Sequence, residues 1–314
     1  MRGAVTAYRD HGVPVVLTGV EERLGDVGGL AVVGCTEEIG MAEEPASAVR
    51  RKKDSSLVRA AELVRDSKAC AMVSAGNTGA AMVSALLRIG RIKGIYRPAI
   101  ATPIPNLVRN PTVMLDSGAN AECSPAMLAQ FAVMGALFSR ARYGVERPRV
   151  ALLSIGEESG KGTSVVQEAH RMLEAVGARE FEFAGNVEGR DLMKGTVDVV
   201  VTDGFTGNVA LKSLEGSLKF FIETLTGVVI PNDETKSAGG VLFEYLAPVM
   251  EALDPDNVGG AMLLGVDGIC VISHGSSSAK AIASALRVAR DLAATSLLDE
   301  LRASADPEVG AAKH

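Results

Sequence analysis

The sequence lacks several features that would point to particular classes of function. It has no tryptophan and, among 314 residues, only 4 tyrosines and 8 phenylalanines. Its net charge is −6, so it offers neither the basic field nor the aromatic platforms on which nucleic acids bind. It contains no apolar stretch of the roughly 18 residues needed to cross a membrane. We therefore expect a cytoplasmic protein that binds no nucleic acid.

The few cysteines argue against two kinds of structural framework. They lie far apart, at Cys35, Cys70, Cys123 and Cys270, and form no CxxC pair. This spacing is unlike that of a zinc site or a disulfide scaffold. Cys70 and Cys270 stand within apolar runs, where a cysteine acts as a small hydrophobic residue. We expect a reducing compartment and no metal.

What the sequence does contain is a repeated pattern: a short apolar, β-branched run, a loop rich in Gly, Asn and Ser, and then an amphipathic helix. The pattern occurs five times, over 70–79, 112–125, 149–163, 197–208 and 268–278. Short strands that are apolar on both faces and alternate with helices indicate a parallel sheet covered on both sides. The predicted fold is α/β, with ligands bound where these loops converge at the C-terminal ends of the strands.

Local signals predict several boundaries. Ser124 followed by Pro125 predicts a helix N-cap and first turn, while Pro103 and Pro105 predict a loop. Region 213–258 breaks the strand–loop–helix rhythm with two segments of wide apolar face, SLKFFIETLTGVVI and VLFEYLAPVMEAL, joined by a polar turn.

The chain divides accordingly into three parts. We expect an α/β core at 1–212 and 259–298, a helical excursion at 213–258 and a flexible tail at 299–314. The excursion pairs with a second subunit or lies on a membrane surface. We favour the dimer, because the segment carries Lys219 and Lys236 against eight carboxylates and so lacks the cationic face that anionic lipids attract.

The five loops each deliver backbone N–H groups at the start of a helix, which suits phosphate. The loop at 156–163 resembles a P-loop, but it has three residues between its glycines instead of four, and Gly162 follows Lys161 where Ser or Thr is required. The NTPase interpretation therefore fails, and the absence of GxGxxG removes the usual dinucleotide fingerprint. Lys161 is either a group that stabilises a developing oxyanion or a solvated surface lysine.

Protein nucleophiles are scarce. No GxSxG elbow is present, and His11, His170 and His314 lie early in the chain, within a helix and at the terminus. Only His274, in SHGSSS, is placed like a site residue, and it is either catalytic or structural. In an acyl or phosphoryl transfer, this shortage suggests that a bound anion such as inorganic phosphate attacks directly, with the protein supplying positioning and electrostatic stabilisation.

Two basic groups stand out on this acidic chain. They are Arg50, Arg51, Lys52 and Lys53, and then Arg88, Arg91, Lys93 and Arg97. Charge runs of this kind are usually solvated faces. The alternative is a docking patch for an acidic partner.

Together these residues resemble a known family, the phosphate acyltransferases of bacterial phospholipid synthesis (PlsX family). The strings that carry the resemblance, in order from about Val13 to about Asp291, are VRRKKDSS, VSAGNTGA, GRIKGIYRPA, LDSGAN, QFAVMGA, GNVEGRD, TDGFTGNVALKSLEG and SHGSSSAKAI. The resemblance implies a three-layer α/β/α sandwich similar to phosphotransacetylases and isopropylmalate-type dehydrogenases. It also implies that long-chain acyl-acyl-carrier protein and inorganic phosphate are converted to acyl phosphate and free carrier protein, without a cofactor.

The resemblance further implies partners. They are acyl-acyl-carrier protein, a second copy of the chain, the membrane surface and the downstream glycerol-3-phosphate acyltransferase. An acidic carrier protein would explain the two basic groups. An acyl-CoA-using phosphotransacylase and an inactive membrane-surface scaffold are the alternative functions.

Carried over residue by residue, the resemblance also implies a site. Lys161 is expected to be the main catalytic group, holding the thioester carbonyl or the phosphate, together with Asn208 and His274. Asparagine amides can bind phosphate oxygens without adding charge. The residues expected to bind phosphate or substrate are Gly76, Asn77, Thr78, Gly79, Asp116, Gly118, Asn120, Gly156, Asn186, Asp203, Gly204 and Ser276.

Two departures from the family pattern are visible. Family members begin with a strand and a loop resembling DAMGGD ahead of the first helix, whereas Met1 falls within that helix here. Either the natural chain starts upstream or this product is damaged; we favour the first, because every later motif is intact. The family's middle loop often reads KGNE, whereas Gly162 is followed by TSV, which removes a polar pair near Lys161.

Overall fold

A computed structural model of the chain describes residues 1–176, 180–229, 245–251 and 253–305. The helices are α1 (Arg2–His11), α2 (Glu21–Leu24), α3 (Pro45–Arg51), α4 (Ser56–Arg65), α5 (Thr78–Ser84), α6 (Pro125–Tyr143), α7 (Ser164–Val176), α8 (Gly204–Val229), α9 (described over 245–251), α10 (Ala279–Ala293) and α11 (Leu297–Ala305). The strands are β1 (Val16–Gly19), β2 (Ala31–Gly34), β3 (Ala71–Ser74), β4 (Ala99–Ile104), β5 (Thr112–Leu115), β6 (Arg149–Leu153), β7 (Glu182–Val187), β8 (Val199–Val201), β9 (Ala261–Leu264) and β10 (Ile269–Ile272).

Eight strands form one sheet in the order β3-β10-β9-β4-β5-β8-β6-β7, and β1 and β2 form a separate parallel pair. Within the large sheet, β3 is parallel to β10, and β5, β8, β6 and β7 are parallel to one another. The three pairings between these two groups, β10–β9, β9–β4 and β4–β5, are antiparallel. Because three antiparallel pairings lie between β10 and β5, strands β3 and β10 run opposite to β5, β8, β6 and β7.

The predicted fold class is confirmed: helices cover both faces of the sheet in three layers. Helices α6, α7, α10 and α11 pack on one face, and α3, α4, α5 and α8 pack on the other. All five predicted strands are present, as β3, β5, β6, β8 and β10. Along β5, Val113 and Leu115 face the first layer and Met114 the second, as expected for a strand buried on both sides.

The predicted start of α6 is confirmed. The Ser124 hydroxyl accepts a hydrogen bond from the Met127 N–H, and Pro125 occupies the first turn. Gly144, with φ of 68°, ends the helix in the left-handed conformation, which glycine adopts without strain.

The reversed strand direction corrects one prediction. The C-terminal ends of β3 and β10 lie at one edge of the sheet, and those of β5, β8, β6 and β7 lie at the opposite edge. The glycine-rich loops therefore do not converge at a single edge. The prediction assumed a parallel sheet throughout, and the three antiparallel pairings break that assumption.

Two local predictions also differ from the structure. Pro103 lies within strand β4 and not in a loop. The pairing of β4 with β9 ends at Ala101, so Pro103 has a paired neighbour only on the β5 side, and the strand tolerates the missing N–H there. Cys70 is exposed, while Cys270 is buried as expected, because Cys70 precedes the first residue of β3.

The predicted divisions near the C-terminus are revised as well. Residues 299–305 belong to helix α11, which buries Leu297 and Leu301 completely, so they are not a flexible tail. Helix α8 runs without interruption from Gly204 through the predicted boundary at 213. The excursion is therefore continuous with a core helix. Its predicted polar turn and the first residues of its second segment, 241–244, lie outside the described residues. No helix in the described part of the chain is long and apolar enough to cross a membrane.

Candidate functional site

The loop after β5 is folded around a buried carboxylate. Asp116 is completely buried, and its two oxygens accept hydrogen bonds of 2.7–3.1 Å. The donors are the backbone N–H groups of Ile100, Gly118, Ala119 and Asn120 and the side-chain amide of Asn120. A carboxylate supplied with this many donors orders the loop around it. The structure turns both Asp116 oxygens toward the backbone.

The first turn of α8 packs directly on this loop. A Cβ atom at position 207 would lie 2.0 Å from the Asp116 carbonyl oxygen, and one at position 204 would lie 2.6 Å from the Asn120 carbonyl oxygen. Only glycine permits such an approach. The Gly204 N–H donates to that Asn120 carbonyl at 2.7 Å, so the two loops form one unit.

Asn208 is exposed on the first turns of α8. Asp203 caps this helix by accepting hydrogen bonds from the Thr206 N–H and hydroxyl, both at 2.8 Å. A Cβ atom at Gly118 would lie 3.7 Å from Asn208 Oδ1, so the side chain faces the Asp116 loop. Its amide makes no hydrogen bond within the described part of the chain and is available to a ligand.

The amides of the other three predicted asparagine donors are engaged inside the protein. Each donates to main-chain carbonyl groups at 2.8–3.3 Å. The pairs are Asn77 with Gly40, Met41 and Glu43, Asn120 with Pro98, and Asn186 with Glu158. The structure thus places these three asparagines at the loops but uses their donors to hold the loops in shape.

Lys161 stands in the loop between β6 and α7. Its side chain is exposed, and among the described residues its ammonium makes no ion pair or hydrogen bond. Its stem lies across Gly156, where a Cβ atom would be 2.9 Å from Lys161 Cγ. The turn is tightened by Gly162, with φ of 93°, where a Cβ atom would lie 2.8 Å from Ser154 Oγ. The lysine thus stands in the loop at the end of β6, the strand that pairs with β8.

His274 lies at the opposite edge, in the loop after β10. A Cβ atom at Gly275 would lie 3.6 Å from the Ala75 carbonyl oxygen, so this loop faces the loop after β3. His274 Nδ1 accepts the Ser276 backbone N–H at 3.2 Å and lies 2.6 Å from the Ser276 hydroxyl. A nitrogen that accepts a backbone N–H carries no proton, so the neutral ring holds its proton on Nε2. His274 is therefore arranged as a hydrogen-bond donor through Nε2.

The loop after β3 begins helix α5. Asn77 caps the helix by accepting the Ala80 N–H at 3.0 Å, and Gly76 donates to the Ser74 hydroxyl at 3.1 Å. The N–H groups of Thr78 and Gly79 have no acceptor in the described structure. They point outward from the helix N-terminus, where an anion is favoured.

The Asp116 loop packs beside β4 on one face of the sheet. The Ser117 hydroxyl lies 2.5 Å from Thr102 Oγ1 and donates to the Ile100 carbonyl at 3.1 Å, so the loop turns back along β4. Ala119 packs against the hydrophobic cluster to which α5 and β10 contribute. Loop 116–120 therefore reaches from the start of α8 to the half of the sheet that carries α5.

The two basic groups do not form one patch. The first precedes the N-terminus of α4, whereas Arg88 of the second lies 3.7 Å from Glu62 near the end of that helix. Helix α4 has 10 residues and is therefore about 15 Å long, so the two groups lie toward its opposite ends.

Lys52 is half-buried and paired with Glu43 at 2.6 Å, and its ammonium lowers the pKa of the Glu43 carboxyl. Lys52 thus has a structural contact.

The remaining predicted docking residues differ in whether their side chains already have a partner within the protein. Arg91 donates to the Tyr96 carbonyl. The side chains that are exposed and make neither an ion pair nor a hydrogen bond within the described ranges are Arg50, Arg51, Lys53, Lys93 and Arg97.

Two further residues near these loops carry no local signal in the sequence that would select them as site residues. Cys123 lies 3.8 Å from the Asn120 carbonyl, and burial, aided by the nearby Asp116 carboxylate, raises the pKa of its thiol to about 11. His170 of α7 is hydrogen-bonded to Asn186. A single cysteine or a helical histidine carries no local signal, because its neighbours come from other parts of the chain.

Comparison with known proteins decides the family. Residues 11–299 match the model of a family described as "Fatty acid synthesis protein". The chain belongs to this family. It is 44% identical over 309 residues to the phosphate acyltransferase of Elusimicrobium minutum, covering 96% of this chain and 89% of the relative. It is 46% identical over 311 residues to that of Pelotomaculum thermopropionicum, covering 97% and 90%.

Solved structures similar to this chain include phosphotransacetylases. The EutD phosphotransacetylase from Staphylococcus aureus has a TM-score of 0.61 and 16% identity, covering 93% of this chain and 89% of its own. A phosphotransacetylase from Streptococcus pyogenes has a TM-score of 0.60 and 17% identity, covering 93% and 91%. At this level of identity the likeness establishes the fold that the family shares with phosphotransacetylases.

Proposed function

We propose that the chain is a phosphate acyltransferase that converts long-chain acyl-acyl-carrier protein and inorganic phosphate to acyl phosphate and free carrier protein, for phosphatidic acid and phospholipid synthesis. The observation that carries this proposal is the set of relatives, 42–46% identical over more than nine-tenths of the chain, that bear the name phosphate acyltransferase. In the reaction, a phosphate oxygen attacks the thioester carbonyl carbon. The C–S bond then breaks, and the carrier-protein sulfur leaves and takes up a proton.

The proposed chemistry needs no protein nucleophile, because phosphate attacks directly. Lys161 stabilises the negative charge that develops on the thioester oxygen or holds the phosphate, and the free Asn208 amide donates to the same group of oxygens. His274 donates through Nε2 from the other edge. Support for these three roles comes from an ammonium and an amide that have no partner in the described part of the chain, and from the acceptor role of His274 Nδ1.

The remaining proposed site residues divide into two kinds. Thr78 and Gly79 offer free N–H groups to a phosphate at the start of α5. The others shape the loops around the substrate: Gly76, Asn77, Asp116, Gly118, Asn120, Gly156, Asn186, Asp203, Gly204 and Ser276. Their hydrogen bonds and close contacts support this positioning role.

The proposed partner of the first basic group is the acidic acyl carrier protein. Arg50, Arg51 and Lys53 are exposed cations at the end of α3 and just beyond it, and among the described residues they make no ion pair. Pro45, the first residue of α3, would lie 2.6 Å from a Cβ atom at Gly79, so the same short helix touches the start of α5. A carrier protein bound there would bring its thioester toward the α5 loop.

We also propose a homodimer formed through the excursion. Phe220 and Phe221 on α8 are 71% and 63% exposed, and an adjacent pair of phenylalanines is seldom left in water. A cytoplasmic location with peripheral contact to the membrane and to the downstream glycerol-3-phosphate acyltransferase completes the proposal.

The function is tested by measuring release of free carrier-protein thiol from acyl-acyl-carrier protein with and without phosphate. A parallel reaction uses acyl-CoA. Phosphate-dependent release that is faster with carrier protein supports the proposal. Faster release from acyl-CoA would indicate a CoA-dependent phosphotransacylase. No release from either thioester would favour the remaining alternative, an inactive membrane-surface scaffold.

A further inference from the structure

We propose that His170 is a positioning residue that, through Asn186, fixes the loop bearing Lys161. The two side chains are each only 5% exposed, and His170 Nδ1 lies 3.0 Å from Asn186 Oδ1. The Asn186 amide then donates to the Glu158 carbonyl at 2.8 Å. The same carbonyl accepts the Lys161 N–H at 3.0 Å. A buried chain of contacts thus runs from α7 through β7 to the backbone of Lys161.

The direction of each hydrogen bond follows from the chemistry of the groups. Because the Glu158 carbonyl can only accept, the NH2 side of the Asn186 amide must face it, which turns Oδ1 toward His170. An oxygen that faces Nδ1 requires a proton on that nitrogen. Reversing the amide would set Oδ1 against the Glu158 carbonyl oxygen, and two acceptors would face each other. The contact therefore works only with His170 as the donor.

The other side of the imidazole keeps the ring in place. His170 Nε2 lies 3.4 Å from Glu174 Oε1, and the ring meets Phe183 edge to face with centroids 5.0 Å apart. Arg147 and Glu182 line the same groove. The imidazolium donates through both nitrogens, to Asn186 and toward Glu174. In the neutral ring the single proton must stay on Nδ1 to keep the Asn186 contact, and Nε2 then faces the exposed Glu174 carboxylate as an acceptor.

A second residue of α7, Gln167, also holds the backbone of the Lys161 loop by hydrogen bonds. Gln167 donates to the Gly160 carbonyl at 2.8 Å and to the Gly162 carbonyl at 3.2 Å, on either side of Lys161. The Asn186 contact adds an anchor at Glu158, just ahead of this turn. The Lys161 side chain extends from a stretch of loop whose backbone is held by hydrogen bonds on both sides. A loop loosened at one anchor would spread the ammonium over more positions, which lowers the rate of a reaction that depends on its placement.

The test compares two substitutions that differ in which ring nitrogen they replace. The amide nitrogen of asparagine is separated from Cα by as many bonds as Nδ1, so His170→Asn keeps the donor to Asn186. The amide nitrogen of glutamine corresponds to Nε2, so His170→Gln loses that donor. Arg171→Gln, at the next position on the exposed side of α7, is the matched control.

The proposal rests on the role assigned to Lys161, so two readouts are taken. Hydrogen exchange of the peptide 155–163 reports the order of the loop without reference to activity. Turnover with acyl-acyl-carrier protein and phosphate reports the chemistry. We expect His170→Gln to speed exchange and to lower kcat about tenfold with little change in KM, while His170→Asn and Arg171→Gln stay within about twofold of the wild type in both.

The outcomes separate the two proposals. Unchanged exchange and unchanged kcat in His170→Gln would overturn the positioning role, as would equal losses in His170→Asn and His170→Gln. Combining His170→Gln with Asn186→Leu should give no loss beyond that of Asn186→Leu alone, and an additive loss would also overturn it. If Lys161→Ala keeps wild-type turnover while His170→Gln still speeds exchange, the role of Lys161 fails and the positioning of the loop stands.

Discussion

At the scale of single residues, the central prediction concerns Lys161. Its ammonium is exposed and unpaired among the described residues, so replacing it should leave the fold intact. Lys161→Ala should lower kcat at least about tenfold, since one electrostatic donor to a developing oxyanion contributes on the order of 3 kcal/mol to transition-state stabilisation. Phosphate-dependent thiol release, with thermal unfolding as the check on folding, measures this.

The matched control for Lys161 is Lys68→Ala. Lys68 is also exposed but lies far from the glycine-rich loops, after α4. A Lys161→Ala enzyme as fast as the Lys68→Ala enzyme would remove Lys161 from the mechanism.

Cys123 offers a residue-scale test of the claim that phosphate, and not the protein, is the nucleophile. Because the pKa of its thiol is raised to about 11, the thiol stays protonated below that pH, and only about one molecule in a thousand carries the thiolate at pH 8. Cys123→Ser should retain turnover within about twofold. In alkylation followed by mass spectrometry, the exposed Cys70 should react first; covalent acyl transfer to Cys123 would contradict the prediction.

At the scale of elements, the seating of α8 on the Asp116 loop can be tested with two glycines of the same helix. Gly207→Ala would place a methyl group 2.0 Å from the Asp116 carbonyl oxygen, so the helix must move away, at a cost of about 1–3 kcal/mol in the free energy of unfolding. Turnover of this variant should also fall, because the displaced start of α8 carries Asn208.

Gly216→Ala is the matched control within α8. A Cβ atom there meets nothing within 4 Å, so the substitution should stabilise the protein by about 0.5–1 kcal/mol through helix propensity. Urea unfolding of both variants gives the comparison. Equal stabilities would mean that α8 is not seated on the loop as described.

At the scale of the whole molecule, docking of an acidic partner should depend on which basic group faces the site. Replacing Arg50, Arg51 and Lys53 with Ser should raise KM for acyl-acyl-carrier protein, most strongly at low salt, where charges are least screened. Lys52 is left in place because its ion pair with Glu43 is structural. Replacing Lys93 and Arg97 instead is the control, since they belong to the second group, whose Arg88 lies near the far end of α4. A larger effect there would reverse the assignment.

The proposed dimer is also a property of the whole molecule. Phe220→Ser combined with Phe221→Ser should shift light-scattering mass toward the monomer, because these side chains lose their apolar contact across the interface. Unfolding temperature at high dilution serves as the check that each protomer still folds. A double variant that keeps the wild-type mass would place the interface elsewhere.

The sequence by itself determined the local elements. Five strand–loop–helix units and the capped start of α6 were predictable, because apolar spacing, a serine cap and glycine turns act over a few neighbouring residues. The strings shared with phosphate acyltransferases also indicated the family, since their order along the chain is visible without a fold. The unpaired state of Lys161 was not visible in the same way, and only its place in a strand-end loop was.

Only the tertiary structure decided how these elements are combined. The reversal of direction between β10 and β5 depends on three antiparallel pairings, and two of them involve β9, which is far along the chain from β4. The asparagine amides are engaged by carbonyl groups as distant as 37 residues, as in Asn77 with Gly40. His170 acquires its partner only when α7 packs beside β7. Hydrogen bonds of this kind join residues that only the tertiary fold brings together, so no local pattern in the chain predicts them.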